Sequence, residues 1–306
     1  MDTLANLKAF VASAETGSFS QAARQASLAP SVIAKRVDQL EWRIRAPLFT
    51  RSTRKLTLTD VGERYLPTLR KLVRQMDDTL NGMAQASGEL EGHIRIKIPT
   101  TLGVLYLSEL LNQFLQNQPM ISLEVVLADR SVNPIEEGFD MAIGARPESY
   151  GQVQDHPLCP IRRRLCASPG YLARKGQPQS PAELLEHDCL VLTTTGTRWE
   201  FQGPQGLVGV DVRSKLKSND GKALCEAALA GQGIALLADY LVAPALQSGQ
   251  LQELLPELQL QDIWLKALVP SNRIDLPRIR ALLQWLSDQL RHTPLWDGHS
   301  GDQLPA

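Results

Sequence analysis

The sequence predicts an all-helical head, a long connecting helix and an α/β body of two lobes. Three observations carry that expectation: a basic start on an acidic remainder, helical periodicity through most of the first quarter, and strand-like and helical patterns that alternate after it. The chain has 306 residues, enough for two or three domains that each bury a core. With 43% hydrophobic and 21% charged residues it is neither disordered nor collagen-like. Residues 1–75 carry 13 Lys/Arg against 6 Asp/Glu, a net of +7, whereas residues 76–306 carry 19 against 27, a net of −8. Such asymmetry points to nucleic-acid contact by one part of the chain only.

In the head, Leu4, Leu7, Phe10, Val11 and Ala14 recur at helical spacing, and Gly17 ends this first helix near Thr16. Ser20 is expected to cap a short second helix, Gln21 to Ala26, whose alanines allow close packing. Pro30 opens a third helix with Ile33, Val37, Leu40 and Ile44 as its apolar stripe and Ser31, Lys35, Asp38 and Trp42 opposite. Three short helices with a tight second turn form a helix-turn-helix, in which the last helix enters the major groove by its N-terminal end. The run Thr50 to Thr59 reads as a turn between β-prone segments, its Arg51, Ser52, Thr53, Arg54 and Lys55 suited to phosphate or minor-groove contact. A solvated loop is the alternative for such a charge run. From Asp60, Val61, Tyr65, Leu69, Leu72, Met76, Leu80 and Met83 step along one side of a long helix, a seam that needs a partner helix.

The strings Phe19-Ser20-Gln21-Ala22-Ala23, Leu40-Glu41, Pro47-Leu48-Phe49-Thr50-Arg51 and Leu58-Thr59-Asp60-Val61-Gly62 resemble the winged helix-turn-helix of LysR-type transcriptional regulators. Total length and the body pattern fit the same family, so the resemblance spans nearly the whole chain. There are departures: Ala29 stands where a Ser or Thr cap is usual, Pro30 where Gln is common, Ala34 where Ser is common, and Arg45 where a helix-ending Gly is usual. Loss of the cap should cost about 1 kcal/mol, partly offset by the preset φ of Pro30. The resemblance implies a DNA surface of Ser20, Gln21, Pro30, Ser31, Lys35, Arg36 and the residues 51–55, and a dimerisation seam of Val61, Tyr65, Leu69, Leu72, Met76 and Leu80.

In the body, Ile94, Ile96 and Ile98 alternate as in a strand, Leu107, Leu110, Leu111 and Phe114 recur as in a helix, and Ile121, Leu123, Val125 and Leu127 alternate again. That βαβ unit implies a parallel pair with a right-handed crossover. The logic repeats through Phe139-Met141-Ile143, Leu190-Val191-Leu192, a helix from Asp220 to Ala230, and Ile234 to Leu237, giving two lobes. A strand over 265–270 and a last helix with Ile279, Leu282, Leu283, Leu286 and Leu290 on one face follow. In the family the body resembles periplasmic solute-binding proteins, with two chain crossings and an effector cleft between lobes. By that resemblance the head is 1–59, the linker helix and hinge 60–92, lobe one 93–162 with 266–293, lobe two 163–265, and 294–306 a loose tail.

Ligands of α/β sheets bind beyond the carboxyl ends of the strands. Thr100 and Thr101 follow the first strand and open a helix whose free amides favour an anion, and Asn219 and Asp220 hold the matching place in lobe two. Arg146, Thr194 and Thr195 follow two further strands. All seven match effector-contacting segments of the family, although each also fits a capping or solvated residue. A small organic anion is the expected effector. Arg162-Arg163-Arg164 is expected to be a solvated or salt-bridged stretch at the lobe crossing.

Cys159, Cys166, Cys189 and Cys225 form no Cys-x-x-Cys pair and the five histidines have no ligand spacing, so no metal and no cofactor are expected. Neither a Gly-x-Ser-x-Gly elbow, a Walker loop nor His-Glu-x-x-His is present, Gly231-Gln232-Gly233 lacks the third Gly of a dinucleotide loop, and His187-Asp188-Cys189 is too compact for a catalytic set. An enzyme is therefore not expected. A secreted solute-binding protein would need an export signal, which the first residues do not resemble, and no basic head. Gly233 to Leu246 is too short and too interrupted to cross a bilayer. The expected partners are double-stranded DNA, a small effector, the chain itself as a dimer and then a tetramer, and RNA polymerase if the protein activates, all in the cytoplasm with no membrane contact. The alternative is a head kept for dimerisation on a ligand-binding or enzymatic body.

Overall fold

The computed structural model describes residues 2–51, 56–84, 90–145, 148–203, 206–260 and 263–292. Internal contacts divide the chain into two units, Met1–Glu89 and Leu90–Ala306.

The first unit begins with α1 (Thr3–Thr16), capped by the Asp2 carboxylate on the Ala5 amide and ended by Gly17 at φ 64°. A left-handed residue after the last helical carbonyl is nearly free of cost only for glycine. The second helix, α2, spans Phe19–Gln25, and its cap is Ser18, not Ser20. Ser18 has the extended backbone a cap requires and its hydroxyl accepts from the Gln21 amide, which moves Ser20 into the first turn. Helix α3 (Pro30–Ile44) starts on Ala29 with no side-chain cap, as its sequence implied, and ends on Arg45 in the left-handed conformation at φ 54°. Ile33, Val37 and Leu40 are buried against Ala9, Phe10, Ala22 and Ala23, but Ile44, expected in the same stripe, is 44% exposed at the frayed end.

Strands β1 (Phe49–Arg51) and β2 (Leu56–Leu58) pair antiparallel, forming the two sides of the wing. Glu41 of α3 fixes their start, its carboxylate accepting from the amides of Leu48 (2.7 Å) and Phe49 (3.1 Å). Thr59 closes the wing, donating its hydroxyl to the Pro47 carbonyl and accepting from the Gly62 amide. A Cβ at Gly62 would lie 2.3 Å from the Leu48 carbonyl oxygen, so only glycine fits there. The family string of the head is thus a set of backbone contacts between α3, the wing and the next helix, α4 (Asp60–Ala84).

In the second unit, β3 (Gly92–Ile98) leads through α5 (Thr100–Leu102), a π turn (Gly103–Leu107) and α6 (Ser108–Asn117) to β4 (Ile121–Leu127). Helix α7 (Pro134–Glu137), β5 (Met141–Ala145) and β6 (Val153–Ile161) follow. The chain then crosses at Arg162 into β7 (Arg163–Ala167), α8 (Pro169–Lys175), β8 (Cys189–Leu192), the hairpin β9 (Arg198–Gly203) and β10 (Gly206–Asp211), β11 (Ser214–Ser218), α9 (Gly221–Leu229), β12 (Ile234–Ala238), α10 (Asp239–Gln247), β13 (Gln252–Glu253) and β14 (Gln259–Leu260). It returns in β15 (Ile263–Pro270) and ends in α11 (Pro277–His292). The tail 294–306 lies outside the described residues.

Sheet one has the order β4-β3-β5-β15-β6 and sheet two β11-β8-β12-β7-β13. Within each, β3 with β4 and β5, and β8 with β11 and β12, run parallel, while the strands after the crossings run antiparallel. The return therefore falls before Ile263 rather than at 266. Ile94, Ile96 and Ile98 bury one face of sheet one under α6 and α11, with Leu282, Leu286 and Leu290 fully enclosed. Each such side chain contributes about 1.5–3 kcal/mol. The hairpin β9–β10 and its partner β14 form a third sheet that alternation did not announce, closed over lobe two by Trp199, Phe201 and Val210.

A non-glycine in the left-handed region costs about 1 kcal/mol. Arg45→Gly is expected to raise the stability of the first unit by about 0.5–1 kcal/mol, read as a higher urea midpoint at unchanged slope.

Candidate functional site

The head presents a continuous outward face. Ser20, Gln21, Pro30, Ser31 and Lys35 are exposed and Arg36 is half-buried, all on α2 or the first half of α3. Beneath them Ile33 and Val37 are buried. The turn between α2 and α3 is held by Ser27 at φ 52° and by the Leu28 amide on the Ala23 carbonyl. Arg51 belongs to β1, and Ser52, Thr53, Arg54 and Lys55 lie outside the described residues.

The expected seam of α4 separates into two. Val61 and Leu69, both partly buried, pack with Val73 and Leu66 onto the head's own core. Tyr65, Leu72, Met76 and Leu80 stay about half exposed, at 51, 50, 50 and 48%. Their spacing of seven, four and four puts them on one face.

In the body, a cavity of about 520 Å³ lies between sheet one and sheet two. Thr101, Thr194, Thr195 and Asn219 line it as expected, whereas Arg146 lies outside the described residues. The helix opening at Thr100 has its first amide engaged. Its Thr100 amide already donates to the Asp129 carboxylate at 2.9 Å, and the Thr101 hydroxyl donates across the cleft to the second carboxylate oxygen of Asp220 at 2.5 Å. Asp220 also caps α9 through the Ala223 amide. A second cross-cleft contact is the edge-to-face pair of Tyr106 and Tyr240, 5.6 Å between ring centroids. Burial pushes both phenol hydroxyls above their ordinary range.

Residue periodicity missed Lys97, Asp129, Arg130, Ser131, Glu148 and Arg163, which also line the cavity. Lys97 was legible in principle: with Ile94, Ile96 and Ile98 on the covered face of β3, it must project from the opposite face at the strand's carboxyl end. Its side chain is 3% exposed and its ammonium donates to the Ile143 carbonyl at 3.3 Å. Burial lowers its pKa to about 8. The arginine triplet also divides. Arg162 is exposed, Arg163 faces the cleft, and Arg164 pairs with Asp239 (2.7 Å) and Glu253 (2.9 Å).

None of the four cysteines forms a disulfide, and all four are buried. Burial pushes the thiols of Cys166 and Cys189 up to about 12, which disfavours the reactive thiolate. Among the described residues no cluster of metal-ligating side chains occurs, and no helix is long and apolar enough to cross a membrane.

A helix-turn-helix with a wing, a long helix and a two-lobed α/β body with an interlobe cavity define a ligand-responsive DNA-binding regulator. The model of the bacterial regulatory helix-turn-helix of the lysR family matches residues 4–63, and that of the LysR substrate binding domain matches residues 87–291. The chain belongs to the LysR-type transcriptional regulators. It is 32% identical over 263 residues to the transcriptional activator TtdR of Escherichia coli K12, covering 85% of each chain. CrgA, a LysR-type regulator from Neisseria meningitidis, is 30% identical with a TM-score of 0.59, over 93% of this chain and 98% of CrgA. The full-length Vibrio cholerae virulence activator AphB shares the fold at 22% identity and a TM-score of 0.60, over 92% of this chain and 97% of that one.

Thr101→Val removes the hydroxyl bonded to a carboxylate and is expected to cost the body about 1–2 kcal/mol in urea unfolding. Small-angle scattering should show a larger radius of gyration as the lobes part.

Proposed function

We propose that this LysR-type regulator reads a pseudo-palindromic DNA site through α3 and that a small organic anion in the interlobe cleft sets its response. The observation that carries the DNA reading is the exposed first half of α3, where Ser31 and Lys35 stand outward on a helix anchored by Ile33, Val37 and Leu40. Base edges are read from such a position, while Arg36, Arg51, Arg54 and Lys55 supply phosphate contacts. Ser20 and Gln21 extend the same surface from α2. Pro30 has no amide hydrogen and the Val32 amide donates to the Ala29 carbonyl, so without a side-chain cap at Ala29 it is the Ser31 amide that is left for a phosphate oxygen. The half-exposed stripe Tyr65, Leu72, Met76 and Leu80 supports pairing of two copies through α4, which fixes the spacing of half-sites. Likeness to TtdR, an activator by name, supports activation and therefore contact with RNA polymerase. The cleft is a binding site rather than a catalytic one, and two lobes joined twice transmit occupancy by opening and closing.

Sequencing the genomic DNA fragments retained by the purified protein should return one motif with dyad symmetry. Retention of random fragments would overturn the reading. Lys35→Ala is expected to lose about 1–3 kcal/mol on the best site and to relax selection at one base pair. Leu72→Asp places a charge in the apolar stripe, and light scattering should then report monomers with reduced DNA affinity. A dimer of undiminished stability would place the self-association elsewhere.

A further inference from the structure

Lys97 stands apart from the other charged groups of the cleft. It lies on β3, an interior strand of sheet one, and the residue is only 3% exposed yet lines the interlobe cavity. Among the described residues its one hydrogen-bond acceptor is the Ile143 carbonyl at 3.3 Å, and no carboxylate lies within 4.0 Å. An ammonium has three donors, so two are left over. Its strand neighbours Val126 and Ala142 offer no polar group from their side chains. A buried cation with one long hydrogen bond is costly unless a charge of opposite sign completes it.

The other charges facing the cavity are largely engaged. The Asp129 carboxylate holds the Thr100 amide, and Arg130 is held in a two-pronged pair by Glu137. Arg163 enters from β7 and Glu148 from the segment after β5, so among the described residues the lining side chains include three cations and two carboxylates. A single ammonium with two open donors suits a monocarboxylate. Thr101, Ser131, Thr194 and Thr195 supply hydroxyls for polar substituents, and Leu102, Ile161, Leu236 and Ile263 supply apolar walls.

We infer that the Lys97 ammonium receives the carboxylate of the effector, an organic monoanion, and that this contact rather than the amides at Thr100 and Thr101 anchors the ligand. The inference rests on the effector reading of the cleft. It carries a pH dependence with a definite sign. In the empty cleft burial lowers the Lys97 pKa to about 8, opposed by Asp129 and Glu137 and assisted by Arg130. A carboxylate beside the ammonium raises that pKa again, so binding above pH 8 must take up a proton. Affinity is then full at pH 7 and falls about 30-fold by pH 9.5, when about 3% of the empty sites remain protonated. Tyr240, from the opposite lobe, keeps its proton throughout this window because burial raises its pKa.

The test uses the full chain and three probes, sodium acetate, sodium benzoate and inorganic phosphate, against sodium chloride at equal ionic strength. Thermal melts are recorded at pH 7 and pH 9.5 for wild type, Lys97→Met and Lys97→Arg. Acetate or benzoate should raise the wild-type melting temperature at pH 7 and have little effect at pH 9.5. The rise should vanish in Lys97→Met and persist at both pH values in Lys97→Arg, whose guanidinium does not titrate there. Lys97→Met in chloride should melt no lower than wild type, because it removes an uncompensated buried charge. Stabilisation by phosphate alone, by no probe, equally in Lys97→Met, or a lower melting temperature of Lys97→Met in chloride would each overturn the inference. Retention of operator DNA by wild type is measured separately, so failure at Lys97 leaves the DNA reading standing.

Discussion

Two parallel strands cannot be joined by a turn, and much of the body follows from that constraint. Each return must travel over a face of the sheet, usually as a helix, so the parallel strands of one lobe all end on the same side. In lobe one this puts the end of β3 beside the start of α5, and in lobe two it puts the ends of β8 and β11 beside the start of α9. When the chain crosses twice between lobes, those two sides face one another. The cavity is therefore a product of connectivity, lined by side chains of those strands and by residues just beyond their ends.

The head solves a different problem with fewer residues. Its core is small, and the wing has only two three-residue strands, too short to hold themselves. The Glu41 carboxylate, taking two amides at once, and the Thr59 hydroxyl, bonded on both sides, tie the wing to α3 and α4. A charge-assisted bond to two backbone donors is about twice as strong as a neutral one. The wing's orientation beside α3 is consequently fixed by these polar contacts together with the burial of Leu48 and Phe49 in the head's core.

Much of this was legible in the residues. The order of helices and strands, the βαβ unit, Gly17 and Pro30 followed from period and from backbone chemistry that acts within a few residues. The failures lie where a partner distant in sequence decides. Ser18 and Ser20 are equal as caps until the backbone before the helix is known. Val61 and Leu69 share a period with Leu72 and Met76, yet the head's core claims the first two. Thr100 and Thr101 looked open because Asp129 and Asp220, 29 and 119 residues away, cannot be foreseen as their partners. A lone lysine in a strand gives no periodic signal, and the burial of Lys97 follows from β3 having neighbours on both sides.

The bond from Thr101 to Asp220 has a consequence for how the cleft answers a ligand. The chain supplies an acid of its own to close the gap, and a second one, Asp129, already sits on the helix amide that an incoming anion would otherwise take. The lobes are in that sense bridged by an internal substitute before anything arrives. An effector that reaches Lys97 without disturbing this bridge adds its affinity to a closed form that already exists, and acts by deepening it. One large enough to displace Asp220 has to replace the bridge as well as fill the cavity, and it gains only the difference between the two. Ligands of similar charge and unequal size would then shift the same equilibrium by unequal amounts.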